Sequence, residues 1–138
     1  MRRLEVLIIS DFPTDTIDPI IFEIPNLKRL EFSGCSSSHA PNSIPLMESV
    51  TEIWIDHGSL QPIPDFFRSF PNLEIFECSE TPTTELPPSF FDLKNIIKIG
   101  VYRCPLNKDT LLKIDQAFPE ADVSYDPKVP SVPIPKNK

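Results

Sequence analysis

Apolar residues recur along the chain at a fixed step. Leu4, Leu27, Val50, Leu73 and Ile96 stand 23 residues apart. Three positions further on, the same step runs through Leu7, Leu30, Ile53, Phe76 and Ile99, and two beyond that through Ile9, Phe32, Ile55, Cys78 and Val101. Hydrophobic residues make up 40% of the chain, so fifteen apolar residues in fifteen such places mark a repeat, not an accident of composition. The last two apolar positions of each unit lie two residues apart, the period at which a strand presents alternate side chains to one face. Each unit therefore opens with an expected short strand. More apolar columns follow at the same step: Ile17, Ala40, Ile63 and Leu86; Ile21, Ile44, Phe67 and Phe90; Ile24, Met47, Phe70 and Leu93. These are expected to line the inside of the segment that returns to the next strand.

Proline decides what that return looks like. The chain holds 17 prolines against 3 glycines. Inside a helix proline removes a hydrogen bond and clashes with the preceding turn, so short, punctuated returns are expected in place of long helices. The hydrophobic content is too high for disorder. Pro25, Pro41, Pro64, Pro71 and Pro87 punctuate the returns, and Asn26, Asn72 and Asn95 stand just before three strand starts. Residues 36–42 are too polar for a regular return and read as a loop. After the fifth strand, Leu111, Leu112, Ile114 and Phe118 fit one helix within residues 107–118, capped by Asn107 or Asp109. The step is expected to lengthen there by two residues. Residues 121–125, with Val123 and Tyr125, then read as a short last strand.

Residues 73–93, LEIFECSETPTTELPPSFFDL, resemble the 23-residue unit of leucine-rich repeat proteins, L-x-x-L-x-L-x-x-N-x-L-x-x-L-P-x-x-F-x-x-L. The resemblance covers residues 4–125. It implies an α/β fold, a curved right-handed solenoid with a parallel sheet on the concave side and short helical or extended segments on the convex side. Residues 1–126 would form the repeat domain, with five units starting near 4, 27, 50, 73 and 96 and a closing cap over about 107–125. Residues 127–138 would form a proline-rich tail. The family's ladder asparagine is replaced by Phe12, Cys35, Gly58, Thr81 and Cys104, so its backbone hydrogen bonds must be made otherwise. The amino-terminal end runs straight into the first strand without a polar cap. A core edge left in water is expected to be covered, by a second copy through residues 4–10 or by another domain. The alternative is that the chain is a structural or assembly segment of a longer receptor-like or effector protein.

Charge narrows the partners. With 20 acidic and 13 basic residues the net charge is −7, which argues against nucleic acid and anionic membrane surfaces, since both need a basic footprint. No apolar run approaches the roughly 18 residues of a membrane span. Arg2 and Arg3 precede an apolar stretch that is short, contains Glu5 and lacks a small-residue cleavage site, so no export signal is read and a cytoplasmic location is favoured. The tail carries Pro127, Pro130 and Pro133 at a spacing of three, which reads as a semi-rigid linker, with a polyproline II ligand as the alternative.

Catalytic chemistry finds little to stand on. Cys35, Cys78 and Cys104 fall in apolar or ladder columns and are expected to be buried structural thiols, and no C-x-x-C spacing supports zinc. His39 and His57 fall in different places and read as solvated side chains. No phosphate-binding glycine loop, nucleophile elbow or H-E-x-x-H is present. The expectation is a non-enzymatic chain without cofactor or metal.

Function is expected on the sheet face opposite the core. Four columns point there: Val6, Arg29, Glu52, Ile75, Lys98; Ile8, Glu31, Trp54, Glu77, Gly100; Ser10, Ser33, Asp56, Ser79, Tyr102; and Asp11, Gly34, His57, Glu80, Arg103. Acidic residues outnumber basic ones on it. Trp54, the only tryptophan, falls mid-face between Ile53 and Ile55, and a slip of one residue would bury it instead. An exposed central aromatic with a polar surround is the build of a binding hot spot. The candidate partner-binding residues are Glu31, Trp54, Asp56, His57, Glu77, Glu80, Tyr102 and Arg103, and the expected partner is a protein with a basic patch.

Overall fold

The computed structural model describes residues 4–10, 17–35, 44–57, 60 and 62–125. Six strands, β1 (Val6–Ser10), β2 (Arg29–Ser33), β3 (Glu52–Asp56), β4 (Ile75–Ser79), β5 (Lys98–Tyr102) and β6 (Asp122–Tyr125), form one sheet in chain order. Every neighbouring pair is parallel. One α-helix, α1 (Lys108–Ala117), and three short 3-10 segments, Pro19–Glu23, Phe67–Ser69 and Pro88–Asp92, lie between strands. The fold is α/β.

The register follows the repeat. Leu7 pairs with Leu30, Leu30 with Ile53, Ile53 with Phe76 and Phe76 with Ile99, each 23 residues on. Leu30, Ile53, Phe76 and Ile99 are fully buried, and side chains between them are half-exposed, because alternate strand residues face opposite sides. Two expectations need correction. Ile99 pairs with Val123, so the last step lengthens by one residue and not by two. The extra residue is taken up by α1, whose 1.5 Å rise uses more residues per unit length than an extended return. Leu4, expected to point inward, is 48% exposed, since among the described residues β1 has a neighbouring strand on one side only.

The described parts of the returns pack against the strand residues and bury most of the second set of columns. Ile17, Met47, Ile63, Phe67, Phe70, Leu86, Phe90 and Leu93 join the strand residues in one core. Proline opens two of the 3-10 segments. α1 occupies the stretch between Pro105 and Pro119, free of proline, and the Asn107 side chain caps it by accepting from the Thr110 amide at 2.8 Å. Aromatic rings knit adjacent returns together. Phe90 lies 5.1 Å from Phe67, 4.9 Å from Phe76 and 5.4 Å from Phe118, mostly edge to face.

Polar side chains stitch units at the outer corners. Asn72 donates to the Glu48 carbonyl and Asn95 to the Pro71 carbonyl, each one unit back. In the ladder column Cys35 donates to the Ile9 carbonyl at 3.2 Å, which supplies one of the substitute hydrogen bonds. All three cysteines are buried, and none is in a disulfide. Cys78 and Cys104 sulfurs stand 3.4 Å apart, with the Thr81 hydroxyl 3.3 Å from Cys78. The hydrogen bond to Cys104 and burial push the Cys78 thiol up, so it stays protonated. Among the described residues, no helix is long and apolar enough to cross a membrane. The loop expected at 36–42, His39, Asp11, Phe12, Ala40, Gly58 and the tail 127–138 lie outside the described residues.

Candidate functional site

Among the described residues, the side of the sheet opposite the core carries half-exposed side chains, and the register sets them in columns. All eight candidate residues lie on this face or at its rim. Trp54, in the middle column of β3, pairs with Glu31 on one side and Glu77 on the other. Ile53 and Ile55 are buried, so the indole faces away from the core as expected. It is half-buried and not freely exposed, because the Arg29 side chain lies over it. The Arg29 guanidinium stacks 4.0 Å from the ring centroid, and the indole N–H donates to Glu52 at 3.1 Å. Arg29 also donates to Glu31 at 2.8 Å. A cation over an indole contributes roughly 0.5–2 kcal/mol, so the ring is held in one orientation.

The acidic excess is largely answered within the face. Glu77 lies 3.5 Å from Lys98, and Glu80 lies 3.4 Å from Arg103. Asp56 meets the Nδ1 of His57 at 3.0 Å, and Glu80 meets its Nε2 at 3.3 Å. The chain Asp56–His57–Glu80–Arg103 thus runs along the rim at the carboxyl ends of the strands. Beside it, Tyr102 leans over Gly100: a Cβ there would stand 2.9 Å from the Tyr102 ring and 3.0 Å from the Glu77 carboxylate. The glycine makes room for both to converge next to Trp54.

The rim has a backbone device of its own. Gly34, His57, Glu80 and Arg103, each the first residue after its strand, have φ between 55° and 67°. The turn lets their amides prolong the ladder: Gly34 donates to the Asp56 carbonyl, His57 to that of Ser79 and Glu80 to that of Tyr102. Left-handed backbone costs a non-glycine residue about 1 kcal/mol, offset here by hydrogen bonds that would otherwise be lost. It also brings the side chains of His57, Glu80 and Arg103 together with Asp56 at one edge.

His57, read from the sequence as a solvated histidine, is exposed yet bridges two carboxylates. The hydrogen bond to Asp56 and the Asp56 and Glu80 charges raise its pKa above the ordinary 6.5. A group whose folded pKa is raised adds stability that is complete below its unfolded pKa, near 6.5, and is lost as pH rises through the folded value. The expected result is a His57 titration midpoint above 6.5 by NMR, moving down in Asp56→Asn. An unshifted midpoint would break the Asp56–His57 contact.

Arg29, Glu52, Lys98 and Gly100 complete the site and were not among the candidates. For Arg29 and Lys98 the signal was present as cross-strand diagonals, Arg29 to Trp54 at 25 residues and Glu77 to Lys98 at 21, two either side of the repeat step. Among the described residues, no group of three or more histidine, cysteine, aspartate or glutamate side chains is placed to hold a metal ion. What the face offers is an aromatic platform, stacked and hydrogen-bonded, inside a frame of ion pairs. No protein-family model matches the chain, and no curated protein matches it either.

Proposed function

We propose that the chain is a leucine-rich repeat solenoid acting as a non-catalytic protein-binding module through the concave face of its sheet. The observation that carries this reading is Trp54, held by Arg29 and Glu52 at the centre of the sheet face opposite the core. Pre-ordered aromatics with few free torsions make effective anchors, because little side-chain entropy remains to be lost on binding. The 23-residue step, kept in register through five strands, supports the solenoid.

The partner is a protein presenting lysine or arginine around an apolar spot that covers Trp54. Glu31, Asp56, Glu77 and Glu80 already have internal cations, so the partner's charges compete at the rim. They speed encounter more than they deepen affinity, and the association rate falls with salt.

The test is affinity capture with the wild-type chain, then binding of the captured protein to wild type and Trp54→Ala. Trp54→Ala is expected to weaken binding at least about 30-fold, equivalent to about 2 kcal/mol, with little loss of folding stability. Equal binding with equal stability would move the site off this face. A large loss of stability would make the indole a structural residue.

A further inference from the structure

We infer that Cys78 and Cys104 form a peroxide-reactive modification site, at which hydrogen peroxide joins the two sulfurs in a reversible disulfide between neighbouring units of the sheet. This stands apart from the binding reading, because neither thiol belongs to the Trp54 face.

The two residues are 26 apart in the chain, yet the register brings them together. Cys78 pairs with Val101 across β4 and β5, and Cys104 lies three residues beyond Val101, in the coil between β5 and α1. Their sulfurs stand 3.4 Å apart. A disulfide needs about 2.05 Å, so closure asks roughly 0.7 Å of each sulfur, within the reach of side-chain torsions. Thiols that only fill a core need no polar company, and this pair has it. The buried Thr81 hydroxyl lies 3.3 Å from the Cys78 sulfur and 3.5 Å from that of Cys104, and donates to Thr83 at 3.0 Å. Its lone pairs are thereby left to accept from a thiol, which fixes where the sulfurs stand.

The two sulfurs have different roles. Cys78 is 1% exposed and Cys104 6%, at the margin where the chain leaves the sheet, so a small oxidant meets Cys104 first. The hydrogen bond from Cys78 holds the Cys104 thiol down to about 6, against burial, which opposes the charge. The Cys104 thiolate attacks one oxygen of hydrogen peroxide: an S–O bond forms, the O–O bond breaks and hydroxide leaves. Cys104 is oxidised by two electrons to the sulfenic acid, and the peroxide is reduced. Cys104 then no longer carries the charge that kept the proton on Cys78. The Cys78 sulfur attacks the Cys104 sulfur, the S–O bond breaks, and the departing hydroxide takes the Cys78 proton and leaves as water. The new bond ties β4 to the coil after β5, and a dithiol reductant reopens it by exchange.

The test is mass spectrometry of the whole folded chain after treatment with hydrogen peroxide and alkylation in denaturant. The mass is expected to fall by two hydrogens and the alkylated thiols from three to one, with a digest yielding Cys78 linked to Cys104. Dithiothreitol is expected to restore all three thiols. The urea midpoint of the oxidised chain is expected to lie above that of the reduced chain, because the bond removes conformations from the unfolded state. In Cys78→Ser, dimedone is expected to label Cys104 as the trapped sulfenic acid. Three thiols left after treatment, a sulfinic acid at Cys104 without a link, or a link through Cys35 or between two chains would overturn the inference. So would a link that forms equally fast in concentrated urea, which would owe nothing to the fold.

Discussion

Phe90→Ala is expected to lower the unfolding free energy by about 3–5 kcal/mol, a large share of the roughly 5–15 kcal/mol of a typical domain. Phe90 has no exposed surface, and its ring meets Phe67, Phe76, Phe91 and Phe118 within 5.6 Å. Those rings belong to the third return, β4, the fourth return and the end of α1. Truncation therefore opens a cavity where three units meet, and rings fixed on separate backbone segments cannot collapse into it. Urea unfolding followed by circular dichroism reads the loss as a lower midpoint at unchanged slope. Ile53→Ala, in the middle of the buried strand column, is expected to cost about 2–5 kcal/mol by the same argument. A loss under about 1 kcal/mol for either would contradict the core assigned here.

Ending the chain after Leu73 is expected to abolish cooperative folding altogether. Each strand packs on its immediate neighbours in the sheet, so no distant element can stand in for a missing one. The fragment loses Phe76 and Cys78 beside Ile53 and Ile55, and Phe67 loses both Phe76 and Phe90. The Phe67 amide also loses the Ser89 hydroxyl. What remains is three short strands with one wall of the core removed, too little buried surface to offset the conformational entropy of ordering them. Thermal and urea scans of residues 1–73 are expected to be broad and sloping, with poor dispersion of amide NMR signals. A sharp sigmoidal transition would show that stability is local and not shared between units.

Much of this fold is legible from apolar spacing because strand geometry has a period of two. Once Leu30 and Phe32 face inward, Arg29, Glu31 and Ser33 must face outward, and the 23-residue step carries the assignment from unit to unit. The same logic placed Trp54 on the open face, and Ile53 and Ile55 fix it there. The last step resisted this reading, since one residue of added length follows from α1 and not from any apolar position. The rim resisted it as well. Only Gly34 announces a left-handed turn, while His57, Glu80 and Arg103 adopt it without a local signal, because the ladder of neighbouring strands supplies the reason.

By itself, then, the sequence determined what repeats: which residues are buried, where strands begin, which side chains share the open face, and where proline forbids helix. Those are properties of a residue and its near neighbours along the chain. The tertiary structure alone decided what depends on distance across strands. It stacked Arg29 on Trp54, joined Asp56, His57, Glu80 and Arg103 into one rim, answered Glu77 with Lys98, and brought the Cys78 and Cys104 sulfurs together. Spacing in sequence gives the row in which a side chain stands, whereas its partner is chosen by rotamer, local backbone and competing charges, which exist only when the strands are side by side.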